Sequence, residues 1–235
     1  DASPFYGSLP PSCKDELFSL IDYLLQNPTH IGQQALHQVS ISEPTFEILR
    51  KKSREFTVRI QHRLPDTERQ IDYFLYSLAN SWKRETSIRA LLDSGVVVYG
   101  PDSWKTVMGE KYANQYRGWM ANEDLAAAYA SADIVLNLHS LQCPTCLNPR
   151  DFDVLAAGGC LLSDWVEDYD RGYLTADQDC RVAKSTNQLV EITKNLLEDP
   201  KRREQLREQG HETFLQHHTP KHRAEKMIKT LIEFP

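Results

Sequence analysis

The chain has 235 residues, 40% of them hydrophobic and 26% charged. That composition excludes a disordered tail, a collagen-like fibre and a low-complexity linker, and it suffices for one or two domains with a real core. The 27 Lys and Arg against 33 Asp and Glu give a formal net charge of -6, which argues against a general nucleic-acid binder and leaves room for a small anion held by local cations. No apolar run approaches the ~20 residues needed to cross a bilayer. The opening DASPFYGSLPPSC is neither a signal peptide nor a targeting helix. Without an initiator Met, it reads as a processed product or an excised piece. The cysteines (Cys13, Cys143, Cys146, Cys160 and Cys180) are few, odd in number and scattered. They suit a reducing, cytoplasmic compartment better than a disulfide framework.

In chain order, Ser12 predicts a helix cap, with Asp15 at the capping-box offset. Leu17, Phe18, Ile21, Leu24 and Leu25 follow at helical spacing, and Asn27 and Pro28 close that helix. A second helical segment spans Glu43 to Leu64 with a solvated RKKSRE face, and Pro65 breaks it. From residue 70 short apolar runs alternate with helical stretches. The runs are IDYFLYSLA (71–79), VVVYG (96–100), YRGWM (116–120), DIVLNLHS (133–140), CLLSDW (160–165) and a weaker CRVA (180–183). The intervening helices fall near 83–93, 122–131, 149–158 and 186–199. Strands alternating with helices predict an α/β domain, with a parallel sheet carrying helices on both faces, preceded by a helical segment. We place the boundary between residues 1–69 and 70–235. Gly210 is expected to separate two C-terminal helices, with Pro220 at the start of the last.

In an open parallel sheet, ligands bind beyond the carboxyl ends of the strands. After the first run, Lys83 and Arg84 are expected at a helix start, where backbone N–H groups and a cation suit a phosphate; the alternative is a solvated surface pair. The run DIVLNLHS ends on His139, and Pro149 suits the first turn of the next helix. Arg150 is the favoured partner for a diphosphate, since a guanidinium makes parallel bonds to phosphate oxygens; otherwise it pairs with Asp151 or Asp153. Asp153 accepts hydrogen bonds from vicinal hydroxyls, or is simply a favourable charge near a helix start. His139 contacts donor phosphates or sugar, or is a satisfied structural histidine. Cys143 and Cys146 form a CxxC without a second ligand pair, so we expect two reduced thiols and no metal. His217, His218 and His222 read as part of a charged helix start, and Trp119 as a packing residue or the frame of a base.

The stretch LNLHS through NPRDFDVLAAGGCLLSDW resembles the nucleotide-sugar domain of GT-B glycosyltransferases, and more closely the spore-maturation glycosyltransferase-like family. The matching residues are Leu136, Asn137 and His139, then Arg150, Phe152 and Asp153, then Ala156, Ala157, Gly158 and Gly159. Upstream, Lys83 and Arg84 match a Lys-Arg pair, and Tyr99 with Gly100 a Tyr-Gly. Near the end, His218, Thr219, His222 and Arg223 match a His-Thr-x-x-His-Arg motif. The resemblance covers about 70–233.

It implies one Rossmann-like half of a GT-B fold and a metal-independent transferase. No cofactor is implied beyond a nucleotide-diphosphate sugar as donor, and the acceptor, protein or glycan, is unidentified. The binding set is Lys83, Arg84, Tyr99, Gly100, His139, Asn148, Arg150 and Asp153, with no catalytic base assigned. Many GT-B enzymes carry two acidic residues seven positions apart; Asp153 matches the second, and the first falls on Thr145. Residues 1–65 look too short for the family's acceptor domain, so this half is expected to bind a donor and transfer little alone. The rival readings are a non-catalytic nucleotide-sugar-binding or interaction module, and a nucleotide-sugar epimerase of similar architecture.

Overall fold

The computed structural model describes residues 9–30, 32–59 and 66–233. Two compact units divide them. The first holds the described residues up to Arg89 with Pro101–Tyr116 and Ser140–Pro144, and the second holds Ala90–Gly100, Arg117–His139 and Thr145 onward.

The first unit is helical: α1 Pro11–Gln26, α2 Gly32–Gln38, α3 Glu43–Arg59, α4 Thr67–Leu91 (its last two residues count with the second unit) and the short α5 Ser103–Met108. Ser12 does not cap α1. The helix begins one residue earlier, on Pro11, whose fixed φ is already helical, and no side chain caps it. Ile60, Leu64 and Pro65 lie outside the described residues.

The apolar run 71–79, expected as a strand, lies inside α4. Its buried residues are Ile71, Phe74, Leu75, Leu78 and Ala79, which recur at i, i+3, i+4, i+7 and i+8, a helical stripe. They meet Leu17, Leu20, Ile21 and Leu24 of α1 and Leu49 of α3 in one core. A continuous apolar run leaves strand and helix ambiguous, and here its 3.6-residue period decides. The boundary expected at 69/70 therefore falls within a helix, and so do Lys83 and Arg84.

The second unit is the expected α/β fold, a Rossmann-like parallel sheet flanked by helices. It contains α6 Leu125–Ser131, β1 Val135–Asn137, α7 Pro149–Ala156, β2 Leu161–Asp164, α8 Glu167–Asp170, β3 Arg181–Ala183, α9 Thr186–Glu198, α10 Pro200–Thr213 and α11 Pro220–Glu233. The strands are parallel in the order β1-β2-β3, with Asn137 opposite Ser163 and Ser163 opposite Val182. Side chains alternate across the sheet. Leu161 joins Val135, Val154 and Leu155 on the α7 side, while Leu162 joins Leu189, Ile192, Leu196 and Leu206 on the side of α9 and α10.

The runs 96–100 and 116–120 form no regular strand among the described residues. They are tied by Arg117 N–H to the Val98 carbonyl and Gly100 N–H to the Gly118 carbonyl (3.0 and 2.8 Å). Trp119, read as a packing residue or the frame of a base, is 79% exposed, which removes the packing alternative. Gly210 does not separate two helices either. It is buried inside α10, where a Cβ would come 2.5 Å from the Asp179 carbonyl and 2.7 Å from Leu155.

That contact fixes the sign of a substitution. Alanine normally favours a helix interior by about 1 kcal/mol over glycine. At Gly210 the obstacle is backbone, so Gly210→Ala should destabilise by about 1–3 kcal/mol, the usual range for overpacking. A lower denaturant midpoint with unchanged slope is the expected result.

Candidate functional site

β1 and β2 run parallel, so their carboxyl ends lie together. His139 follows β1 by two residues, and Asp164 is the last residue of β2. α7 starts over this edge. Pro149 opens it, Asn148 caps it, and Asp151 completes a capping box. The Arg150 N–H donates to Asn148 Oδ1 (2.9 Å), and the Asn148 N–H donates to Asp151 Oδ2 (2.8 Å). The first backbone donors of α7 are thus satisfied internally.

Asp151 is fully buried. Its Oδ1 accepts from Asn137 Nδ2 at 2.7 Å, and more distantly from Ser163 Oγ and Tyr169 OH, both at 3.4 Å. Its Oδ2 lies 2.8 Å from His139 Nε2. The other ring nitrogen, Nδ1, lies 2.9 Å from Asp164 Oδ1, which also accepts the His139 backbone N–H at 2.8 Å. His139 is only 2% exposed, so both its nitrogens face carboxylates inside the protein. Each must carry a proton to donate, which makes the ring an imidazolium. Burial alone would lower its pKa. The hydrogen bonds to Asp151 and Asp164, with their charges, outweigh burial and raise it to about 9. Burial also raises the Tyr169 phenol far above its ordinary value, so it stays neutral beside the cluster.

The remaining expected site residues fall as follows. Arg150 and Asp153, three apart on α7, are exposed neighbours on one helix face. Among the described residues neither side chain takes part in an ion pair; Asp151, one expected partner of Arg150, is bound to His139 instead. Tyr99 is 47% exposed, and Gly100 beside it is buried. Lys83 and Arg84 belong to the first unit, far from the N-terminal turn of α4, so the helix-start argument for a phosphate there does not hold.

Asp164 went unnoticed as a site residue, although a charge closing an apolar strand is its signal. Thr145, at the place of the absent first acid, accepts the Asp168 N–H through its carbonyl (2.9 Å). Cys143 and Cys146, expected as reduced thiols, are joined in a disulfide; the composition that suggested thiols is silent about two cysteines three apart in a turn. Among the described residues, no group of three or more His, Cys, Asp or Glu is arranged to hold a metal.

The C-terminal motif is structural support for α7. Thr219 Oγ1 accepts the His222 N–H (3.4 Å) at the start of α11 and lies 2.8 Å from His222 Nδ1. The Arg223 guanidinium sits 4.2 Å over the Phe152 ring, and the His218 ring lies 5.0 Å from it.

A Rossmann-like parallel sheet flanked by helices defines a class of α/β proteins. Within that class, residues 80–229 match the family model described as glycosyl transferase-like. The chain belongs to that family, which makes it a transferase concerned with glycosyl transfer, with a sugar donor and an acceptor as the partners implied. No curated protein matches the chain, and no solved structure does. No helix among the described residues is long and apolar enough to cross a membrane.

The raised pKa of His139 makes stability depend on pH, with a definite sign. A histidine whose pKa is higher folded than unfolded stabilises most when protonated in both states, below about 6.5, and that gain is lost as pH rises through 9. The span corresponds to about 3 kcal/mol. Urea unfolding at pH 6, 8 and 10 should show the loss, and His139→Gln should remove most of this dependence.

Proposed function

We propose that the second unit is the donor-binding half of a GT-B glycosyltransferase of the spore-maturation glycosyltransferase-like kind, and that it holds a nucleotide-diphosphate sugar at the carboxyl edge of its sheet. The observation that carries this reading is Arg150, an exposed guanidinium on the first turn of α7 that takes part in no ion pair among the described residues. There the helix dipole adds to its attraction for phosphate oxygens. Because the capping box occupies the first backbone donors, the guanidinium rather than the N–H groups takes the diphosphate. Asp153, one turn on, accepts hydrogen bonds from sugar or ribose hydroxyls. Asn148 holds the turn, and Tyr99 and Gly100 belong to the same unit.

Lys83 and Arg84 enter this reading only through the family resemblance. The role of the whole protein is transfer of the sugar to an acceptor, and positive charge at the site would stabilise the departing diphosphate. A cytoplasmic location belongs to the same reading, and the Cys143–Cys146 disulfide weighs against it.

Titrating inorganic pyrophosphate and nucleotide-diphosphate sugars into the chain and two variants tests this reading. Arg150→Ala should weaken both ligands about tenfold, the loss of a charge-assisted contact. Asp153→Asn should weaken only the nucleotide-sugar. Unchanged binding by Arg150→Ala would overturn the assignment. Binding of the sugar without transfer by the full-length protein would favour a non-catalytic module, and an altered sugar product an epimerase.

A further inference from the structure

We propose that His139 is a positioning residue: clamped between Asp151 and Asp164, it fixes the first turn of α7 against the ends of β1 and β2 and so presents Arg150, without touching the ligand itself.

The geometry supports this at three points. The ring has no nitrogen left for a ligand, since Nε2 faces Asp151 at 2.8 Å and Nδ1 faces Asp164 at 2.9 Å. It bridges separate elements, because Asp164 ends β2 while Asp151 belongs to α7. Its partner Asp151 is also the capping-box carboxylate, receiving the Asn148 N–H at 2.8 Å, and Asn148 Oδ1 in turn receives the Arg150 N–H at 2.9 Å. An unbroken chain of short hydrogen bonds therefore runs from the end of β2 to the backbone of Arg150.

The cation also offsets one of the charges it bridges: with the fully buried Asp151 and the partly buried Asp164 the group carries a net charge of -1 instead of -2, which lowers the cost of holding the clamp together. Among the groups facing the ring are Asp151 from α7, Asp164 and the Ser163 hydroxyl from β2 (Oγ 3.4 Å from Nδ1), and from α8 the neutral Tyr169, whose ring meets it edge-on at 6.4 Å. Cys180, beyond Tyr169, is held neutral by burial.

The inference rests on the donor-binding reading above, and its test separates the two. In the unmodified chain, nitrogen-15 NMR of the His139 ring should show both nitrogens protonated at pH 7; a neutral tautomer there overturns the clamp. Pyrophosphate is then titrated into the parent, His139→Gln, Arg150→Ala and the double variant. His139→Gln should lose about tenfold in affinity, and the double variant should bind no more weakly than Arg150→Ala, because one residue acts through the other. Equal affinity of His139→Gln and parent, or losses that multiply, sinks the proposal.

If His139→Gln does not fold, Asp164→Asn, which removes one partner only, should show the same direction and the same non-additivity. If the parent itself binds no pyrophosphate, the donor-binding reading fails. Amide exchange then decides the clamp. Exchange quickened in α7 but not in α9 upholds it, and uniform quickening refutes it.

Discussion

An imidazolium held between two carboxylates at the carboxyl edge of the sheet is the constraint on which the second unit depends. Burying one ion is costly, and two buried ions beside a third that is partly exposed are tolerable only when each finds its hydrogen bonds. Here every polar atom around His139 has a partner. Asn137 and Ser163, opposite one another in the parallel register, turn their side chains to the same Asp151. Removing one member would strand the others, a change that typically costs 3–5 kcal/mol, roughly the scale of a whole domain's margin. The short strands β1 and β2 thus end in a polar lock, and the apolar layers on either side need only hold the sheet flat against its helices.

The lock explains why α7 starts where it does. An eight-residue helix is too short to be stable alone. Its first turn is fixed by Pro149, the Asn148 cap and Asp151, and its middle by Val154 and Leu155 in the core. From the other side Phe152 receives Arg223 and His218. What remains outside is Arg150 and Asp153, the two charged residues of α7 that the interior does not use. Exposed side chains on a helix so firmly held project from a backbone that is already ordered.

Much of this was legible in the sequence, for identifiable reasons. The runs around 135–137 and 161–164 are short and bounded by turn residues, so their strand character was plain. Pro149 and the glycines after Ala157 marked both ends of α7. The run 71–79 misleads because it is mostly apolar, with Asp72 and Ser77 as its polar positions; the buried stripe Ile71, Phe74, Leu75 and Leu78 reveals its helical period, and burial is a tertiary property. Gly210 misled for the converse reason. A glycine in a charged helix suggests a break, whereas here it admits the Asp179 carbonyl, an approach no local pattern encodes. His139 stands out at a strand end and Arg150 at a helix start, yet Asp164, 25 positions beyond His139, has no spacing rule that ties it to that histidine.

The same distinction separates the two kinds of charge at this edge. Asp151 and Arg150 are adjacent in sequence and opposite in sign, so pairing between them was a reasonable expectation. A helix turns adjacent residues about 100° apart, however, so one points into the sheet edge while its neighbour points out. Asp151 is drawn inward because a buried histidine needs a second acceptor. Arg150 is left outward because the carboxylate beside it is already engaged. The outward guanidinium and the inward carboxylate are therefore two results of one helical turn: Asp151 is engaged by His139, Asn137 and the Asn148 N–H inside, and the residue beside it is left to face solvent.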